Sequence, residues 1–113
     1  MEILLTKKQQ KQAKDIGTLK REYGQRGILI AKCLNILVAV KNLDELLKMP
    51  KSLNQRCHEL HGNLKEIFSM DLVHPYRLLF EPKPPIPRRE DGGIAYKEVI
   101  CVSVVSFSEN THE

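Results

Sequence analysis

The residue types best suited to chemistry gather in one part of the chain. Arg56-Cys57-His58-Glu59-Leu60-His61 is followed by Lys65 and then by His74-Pro75-Tyr76-Arg77, which places three of the four histidines within 22 residues, among several cations. Guanidinium and ammonium groups stabilise the charge that builds on a phosphorane oxygen, and imidazoles move protons near neutral pH. Together they suit phosphodiester chemistry. Each residue also has an ordinary structural role open to it. His58 and His61 fit polar strand positions, and His74 before Pro75 suits a turn. Arg77 is harder to assign to structure alone. If Tyr76, Leu78 and Phe80 face a core, alternation turns Arg77 to the opposite side, where it meets a ligand or pairs with Asp71 or Glu81.

Other chemistries fall away on spacing. Cys57, His58 and His61 lie close enough to suggest metal ligands, but no CxxC or HExxH pattern completes a site, so no metal is expected. There is no Walker loop, GxGxxG or GxSxG, which removes nucleotide-hydrolase and serine-hydrolase readings. Lys7, Lys8, Lys11 and Lys14, with Lys20 and Arg21, make a basic N-terminal stretch, either a solvated helix face or a surface that docks on a phosphate backbone.

These residues need elements to hold them. Residues 2–5 suit a short strand, and 7–22 predict a polar helix with Ala13, Ile16 and Leu19 along one side, stopped at Gly24. A second helix is expected over 26–41, striped by Ile30, Leu34, Leu37 and Val40. Asn42 then caps a short turn carrying Leu43, Leu46 and Leu47 that ends before Pro50. The second half alternates as strands do. Residues 67–72 and 76–81 should form a hairpin across Val73-His74-Pro75, with an earlier strand at 56–60 and a Val-rich one at 98–107. Between the last two elements, 82–95 is a proline-rich loop with Gly92-Gly93 as its turn. Helices first and strands after predict an α+β domain, an N-terminal helical hairpin packed on one face of a small antiparallel sheet.

Composition agrees with one small domain over residues 1–113. Of these, 42% are hydrophobic, enough for one core, and the formal charge is +4. The charge is uneven. Residues 1–32 carry eight Lys or Arg and three acids, a net of +5, while 92–113 carry one Lys and three acids, a net of −2. The basic end favours an acidic partner or nucleic acid. Residues 1–5 are too short for a secretory signal, and 27–40 are too short to span a bilayer, which needs about 20 apolar residues. Three cysteines in separate segments suit buried free thiols of a cytoplasmic protein better than a disulfide framework.

The string from Arg56 through Lys65, followed by Phe68-Ser69-Met70-Asp71-Leu72 and His74-Pro75-Tyr76-Arg77-Leu78-Leu79-Phe80-Glu81-Pro82, resembles the HigB-like plasmid-maintenance killer proteins of the RelE/ParE toxin superfamily. The likeness continues through Glu90-Asp91-Gly92-Gly93 to Thr111-His112 and, more weakly, over the helices. It implies a toxin neutralised by a cognate helix-turn-helix antitoxin of the HigA-like type in a hetero-oligomer. It further implies a ribosome-dependent mRNA endonuclease that uses no metal or organic cofactor. Matched position by position, it assigns Arg77 to phosphate stabilisation and His112 to acid–base work, with Lys65 and His58 as further catalytic candidates. Arg56, His74, Tyr76 and the basic residues Lys7, Lys8, Lys11 and Lys14 are candidates for RNA contact. Two departures are visible: Glu66 stands where the pattern commonly has Gly, putting a carboxylate beside the cations, and the end reads Glu109-Asn110-Thr111-His112 rather than an Asp-Tyr-His-like string. A non-enzymatic poison of DNA gyrase, or a degenerate toxin that only binds its antitoxin, are the alternative functions.

Overall fold

The computed structural model describes residues 1–110, which form an α+β structure. Strand β1 (Glu2–Leu4) leads into helix α1 (Lys7–Gln12), and Thr6 and Gln9 cap that helix reciprocally. The single polar helix expected over 7–22 is in fact two. Asp15 accepts a hydrogen bond from the Thr18 amide at 2.7 Å and thereby starts a new helix, α2 (Ile16–Tyr23). A short carboxylate side chain competes for main-chain donors in this way, so it favours a cap over a helix interior. Gly24 then ends α2 with φ +62°, a conformation that favours glycine.

Helix α3 (Arg26–Ala39) supplies the apolar stripe that faces the sheet, and α4 (Leu43–Lys48) follows behind its Asn42 cap. At Gly27 the two helices α2 and α3 nearly touch. A Cβ there would lie 2.5 Å from the main-chain carbon and oxygen of Leu19.

The strands β2 (His58–Glu59), β3 (Phe68–Asp71), β4 (Tyr76–Pro82) and β5 (Cys101–Asn110) join β1 in one sheet of order β1-β5-β4-β3-β2. The expected antiparallel sheet is mixed, because β1 runs parallel to β5, with Glu2 opposite Cys101. The hairpin of β3 and β4 forms in the expected place, Phe68 opposite Phe80 and Asp71 opposite Arg77. The strand expected at 56–60 shrinks to two residues, since Gln55 and Arg56 hold φ of 54° and 52° and cannot continue a ladder. The last strand starts later than expected, after a 3-10 turn at Tyr96–Glu98, and runs on to Asn110. Its register against β4 shifts between Arg77 and Leu79 and again between Leu79 and Phe80, the mark of bulges that twist the strand.

One face of the sheet carries the core. Phe68, Met70, Leu78, Phe80, Val102, Val104 and Phe107 pack with Ile30, Cys33, Leu34 and Leu37 of α3 and with Leu43 and Leu46 of α4. The rings of Phe68 and Phe80 stack at 5.5 Å, and Tyr96 meets Phe68 edge-on. Cys33 and Cys57 are buried free thiols; Cys101 is half-buried. No helix among the described residues is long and apolar enough to cross a membrane.

Candidate functional site

Directly paired residues in an antiparallel ladder share a face, and so do residues two apart along one strand. His58 pairs with Ser69 and Ser69 with Leu79, while Asp71, two residues on, pairs with Arg77. The face away from the core therefore carries His58, Ser69, Leu79, Asp71 and Arg77, of which Ser69 and Leu79 are themselves buried. The His58 row and the Arg77 row are about 7 Å apart along the strands, and because β3 lies between β2 and β4 the two residues are also about 10 Å apart across the sheet.

Asp71 is the centre of this group. Its Oδ1 lies 3.4 Å from Arg77 Nε and its Oδ2 3.4 Å from Arg56 Nε, so one carboxylate faces two guanidiniums. The two cations differ in setting. The Arg77 side chain is largely buried, at 18% exposure, whereas that of Arg56 is 76% exposed. A second acid, Glu109 on β5, stands opposite Arg77 in the register and is exposed.

Arg56 reaches Asp71 because the chain before β2 is held in a sparsely populated conformation. Two consecutive left-handed residues without glycine cost about 1–2 kcal/mol each. Main-chain bonds around Asp71 hold them: its amide donates to the Gln55 carbonyl at 2.6 Å, and Gln55 Nε2 donates to the Asp71 carbonyl at 2.9 Å. From the other side, buried Asn54 ties the segment to α4 through Nδ2 to the Leu46 carbonyl at 2.8 Å.

His58 is oriented by the same segment. Its Nδ1 lies 2.9 Å from the Arg56 carbonyl. A carbonyl only accepts, so Nδ1 carries the proton and Nε2 of the neutral ring is left as an acceptor, the form a general base requires. Among the described residues, Ser69 Oγ, Asp71 Oδ1 and Arg77 Nη1 are buried with no hydrogen-bond partner. The 3.4 Å contact of Arg77 with Asp71 is thus a charge contact without hydrogen-bond alignment, and it leaves donor capacity on the guanidinium.

The remaining candidates stand elsewhere. Lys65 precedes β3 at its Phe68 end, whereas Arg77 pairs at the Asp71 end, so the strand separates them by about 10 Å or more. Lys65 instead lines an open cleft of about 320 Å³ with Glu59, Glu66, Arg89, Asp91, Ile94 and Tyr96. There the Tyr96 hydroxyl donates to Glu59 Oε1 at 3.0 Å. Glu66 does not neutralise the Arg77 group: Arg88 grips it with two hydrogen bonds, which hold its carboxyl below the usual range. Tyr76 belongs to the core side, its ring covered by the Arg26 guanidinium 3.8 Å from the centroid, so that face is not open to a base. His74 is exposed at the hairpin tip.

The exposed side chains of Lys7, Lys8, Lys11 and Lys14 lie at the other edge of the sheet. Gln9, buried on the opposite side of α1, docks that helix by donating to the Val104 carbonyl of β5. His112 lies outside the described residues. Sequence reasoning gave Arg26 no role at the site and named Asp71 only as one of two pairing partners for Arg77, not as the acid shared with Arg56. The signal for Arg26 is a cation in the first turn of a helix, where the macrodipole disfavours it unless a partner such as Tyr76 or Ser108 takes it. No group of three His, Cys, Asp or Glu that could hold a metal ion is found among the described residues.

Comparison of the chain with known families, curated proteins and solved structures finds no match.

Proposed function

We propose that this chain is the toxin of a toxin–antitoxin pair, a ribosome-dependent endonuclease that cuts mRNA in the cytoplasm and is held inactive by a helix-turn-helix antitoxin. The observation that carries the reading is the group centred on Asp71, where the Arg77 guanidinium, with an unpartnered Nη1, and the Arg56 guanidinium converge on one carboxylate, while His58, on the same face of the sheet two strands from Arg77, keeps an Nε2 that accepts. The fold class and the sequence resemblance support it.

In the reaction, the ribose 2′-OH attacks the adjacent phosphate and gives its proton to His58 Nε2. The bond from phosphorus to the 5′ oxygen breaks, leaving a 2′,3′-cyclic phosphate and a 5′-hydroxyl. Arg77 and Arg56 stabilise the phosphorane charge, and His112 is the candidate acid for the leaving oxygen. The 2′-OH requirement makes RNA the substrate. Lys65 takes a secondary place, touching RNA from its cleft, and the lysines of α1 are a docking surface for ribosomal RNA.

Purified protein should cleave mRNA on translating ribosomes, and Arg77→Ala should lose at least tenfold, about 1.4 kcal/mol of transition-state stabilisation. Cleavage that is unchanged in Arg77→Ala overturns the assignment. A second reading, a chain that keeps antitoxin binding without cleavage, is favoured by the two acids, Asp71 and Glu109, that stand beside Arg77. Expression that leaves growth unaffected while the antitoxin still binds selects it.

A further inference from the structure

The acid at the centre of the site is unexpected for a surface that must receive a polyanion. Asp71 faces both guanidiniums at 3.4 Å, but the two pairs are not equivalent. Arg77 is fixed by its strand, its pairing with Asp71 and its burial. Arg56 is exposed, is itself a left-handed loop residue, and among the described residues its head is held by this contact with Asp71. An exposed ion pair is worth roughly 0–1 kcal/mol, so an incoming phosphate competes for Arg56 on nearly equal terms. It competes less well for Arg77, whose strand holds it against the same carboxylate.

We infer that Asp71 is a positioning residue that occupies the phosphate-binding face in the RNA-free protein, holding Arg77 in place while sharing Arg56 as a latch that an RNA phosphate takes over. The inference rests on the reading of this face as the RNA site. The carboxylate has two opposed effects. It orients Arg77 for the transition state, and it repels the substrate's phosphates. Removing its charge therefore tightens RNA binding and slows turnover, a split that loss of general stability does not produce.

The test separates binding from cleavage. Affinity for a 2′-O-methyl oligoribonucleotide, which cannot be cut by 2′-OH attack, is measured by fluorescence anisotropy across a salt series for the wild type, Asp71→Asn, Arg56→Ala and Arg56→Lys. Circular dichroism confirms that each variant is folded. Asp71→Asn should bind about three- to tenfold more tightly than wild type, from loss of one repelling charge near the phosphate. Its cleavage on ribosomes should fall in kcat rather than rise in KM. Arg56→Ala should lower the salt slope by about one phosphate contact, and Arg56→Lys should restore it, because the latch needs a charge and not a fork. Asp71→Asn binding no more tightly than wild type, or Arg56→Ala keeping the full slope, overturns the latch. The endonuclease reading fails differently: the wild type then binds the oligonucleotide yet cuts no message.

Discussion

Asn54 is the residue through which the core controls the site, and its replacement has a magnitude that follows from its bonds. It is fully buried, donates through Nδ2 to the Leu46 carbonyl at 2.8 Å and accepts through Oδ1 from the Cys57 amide at 3.2 Å. Asn54→Ala removes both bonds and three heavy atoms. Neither partner is left bare, since the Cys57 amide also reaches the Asn54 carbonyl and the Leu46 carbonyl also accepts from Met49. The cost is therefore two net hydrogen bonds at about 0.5–1.5 kcal/mol each plus a small cavity, about 2–3 kcal/mol in all. At about 4 °C per kcal/mol for a chain of this size, Tm should fall by about 8–12 °C.

Asn54→Asp should be worse, at about 3 kcal/mol or more, because it sets an oxygen against the Leu46 carbonyl and buries an unpaired charge. Urea denaturation, with the slope m checked for constancy, measures both variants. Hydrogen exchange at the Cys57 and Asp71 amides reports whether the Gln55–Arg56 segment loosens with them. An alanine variant within 0.5 kcal/mol of wild type, on the scale expected of a neutral surface change, refutes this account, as does an aspartate variant more stable than the alanine.

Two further perturbations test the packing. Gly27→Ala drives a Cβ to 2.5 Å from Leu19 main-chain atoms that no rotamer change can move. The overpacking cost of about 1–3 kcal/mol should exceed the gain in helix propensity, and a variant that melts at or above the wild-type temperature counts against the close approach of α2 and α3. Burial pushes the Cys33 and Cys57 thiols up to about 12 from 9.0, so both should resist a thiol reagent at pH 8 until the protein unfolds. Their protonated native forms make stability fall as pH rises from 9 towards 12, by up to about 1.4 kcal/mol per pH unit for each thiol, while below pH 9 the contribution is constant. Denaturation midpoints that do not change between pH 8.5 and 10.5 contradict this.

Much of the site's orientation was legible in the residues themselves. Alternation in Phe68, Met70, Leu78 and Phe80 sends those side chains to the core, and the same period of two turns Arg77 away from it, towards Asp71 as one of its two foreseen partners. Caps were equally legible: Asn42 starts α4 and Gly24 ends α2, because each acts on main-chain groups a few residues away. Asp15 carried the same kind of signal for the break between α1 and α2, which the run of lysines obscured.

Local periodicity says which side of a strand a residue occupies but not which strand is its neighbour or where along it the pairing falls. Those are decided by hydrogen bonds between distant segments. Only the folded chain sets β1 parallel to β5, leaving the lysines of α1 at one edge and Arg56 and His58 at the other. Only the register places Lys65 and Arg77 at opposite ends of β3, although the sequence sets them 12 residues apart. The left-handed turn at Gln55 and Arg56 is likewise a tertiary product: no local preference favours it, and the bonds to Asp71 and Asn54 supply the energy that holds it.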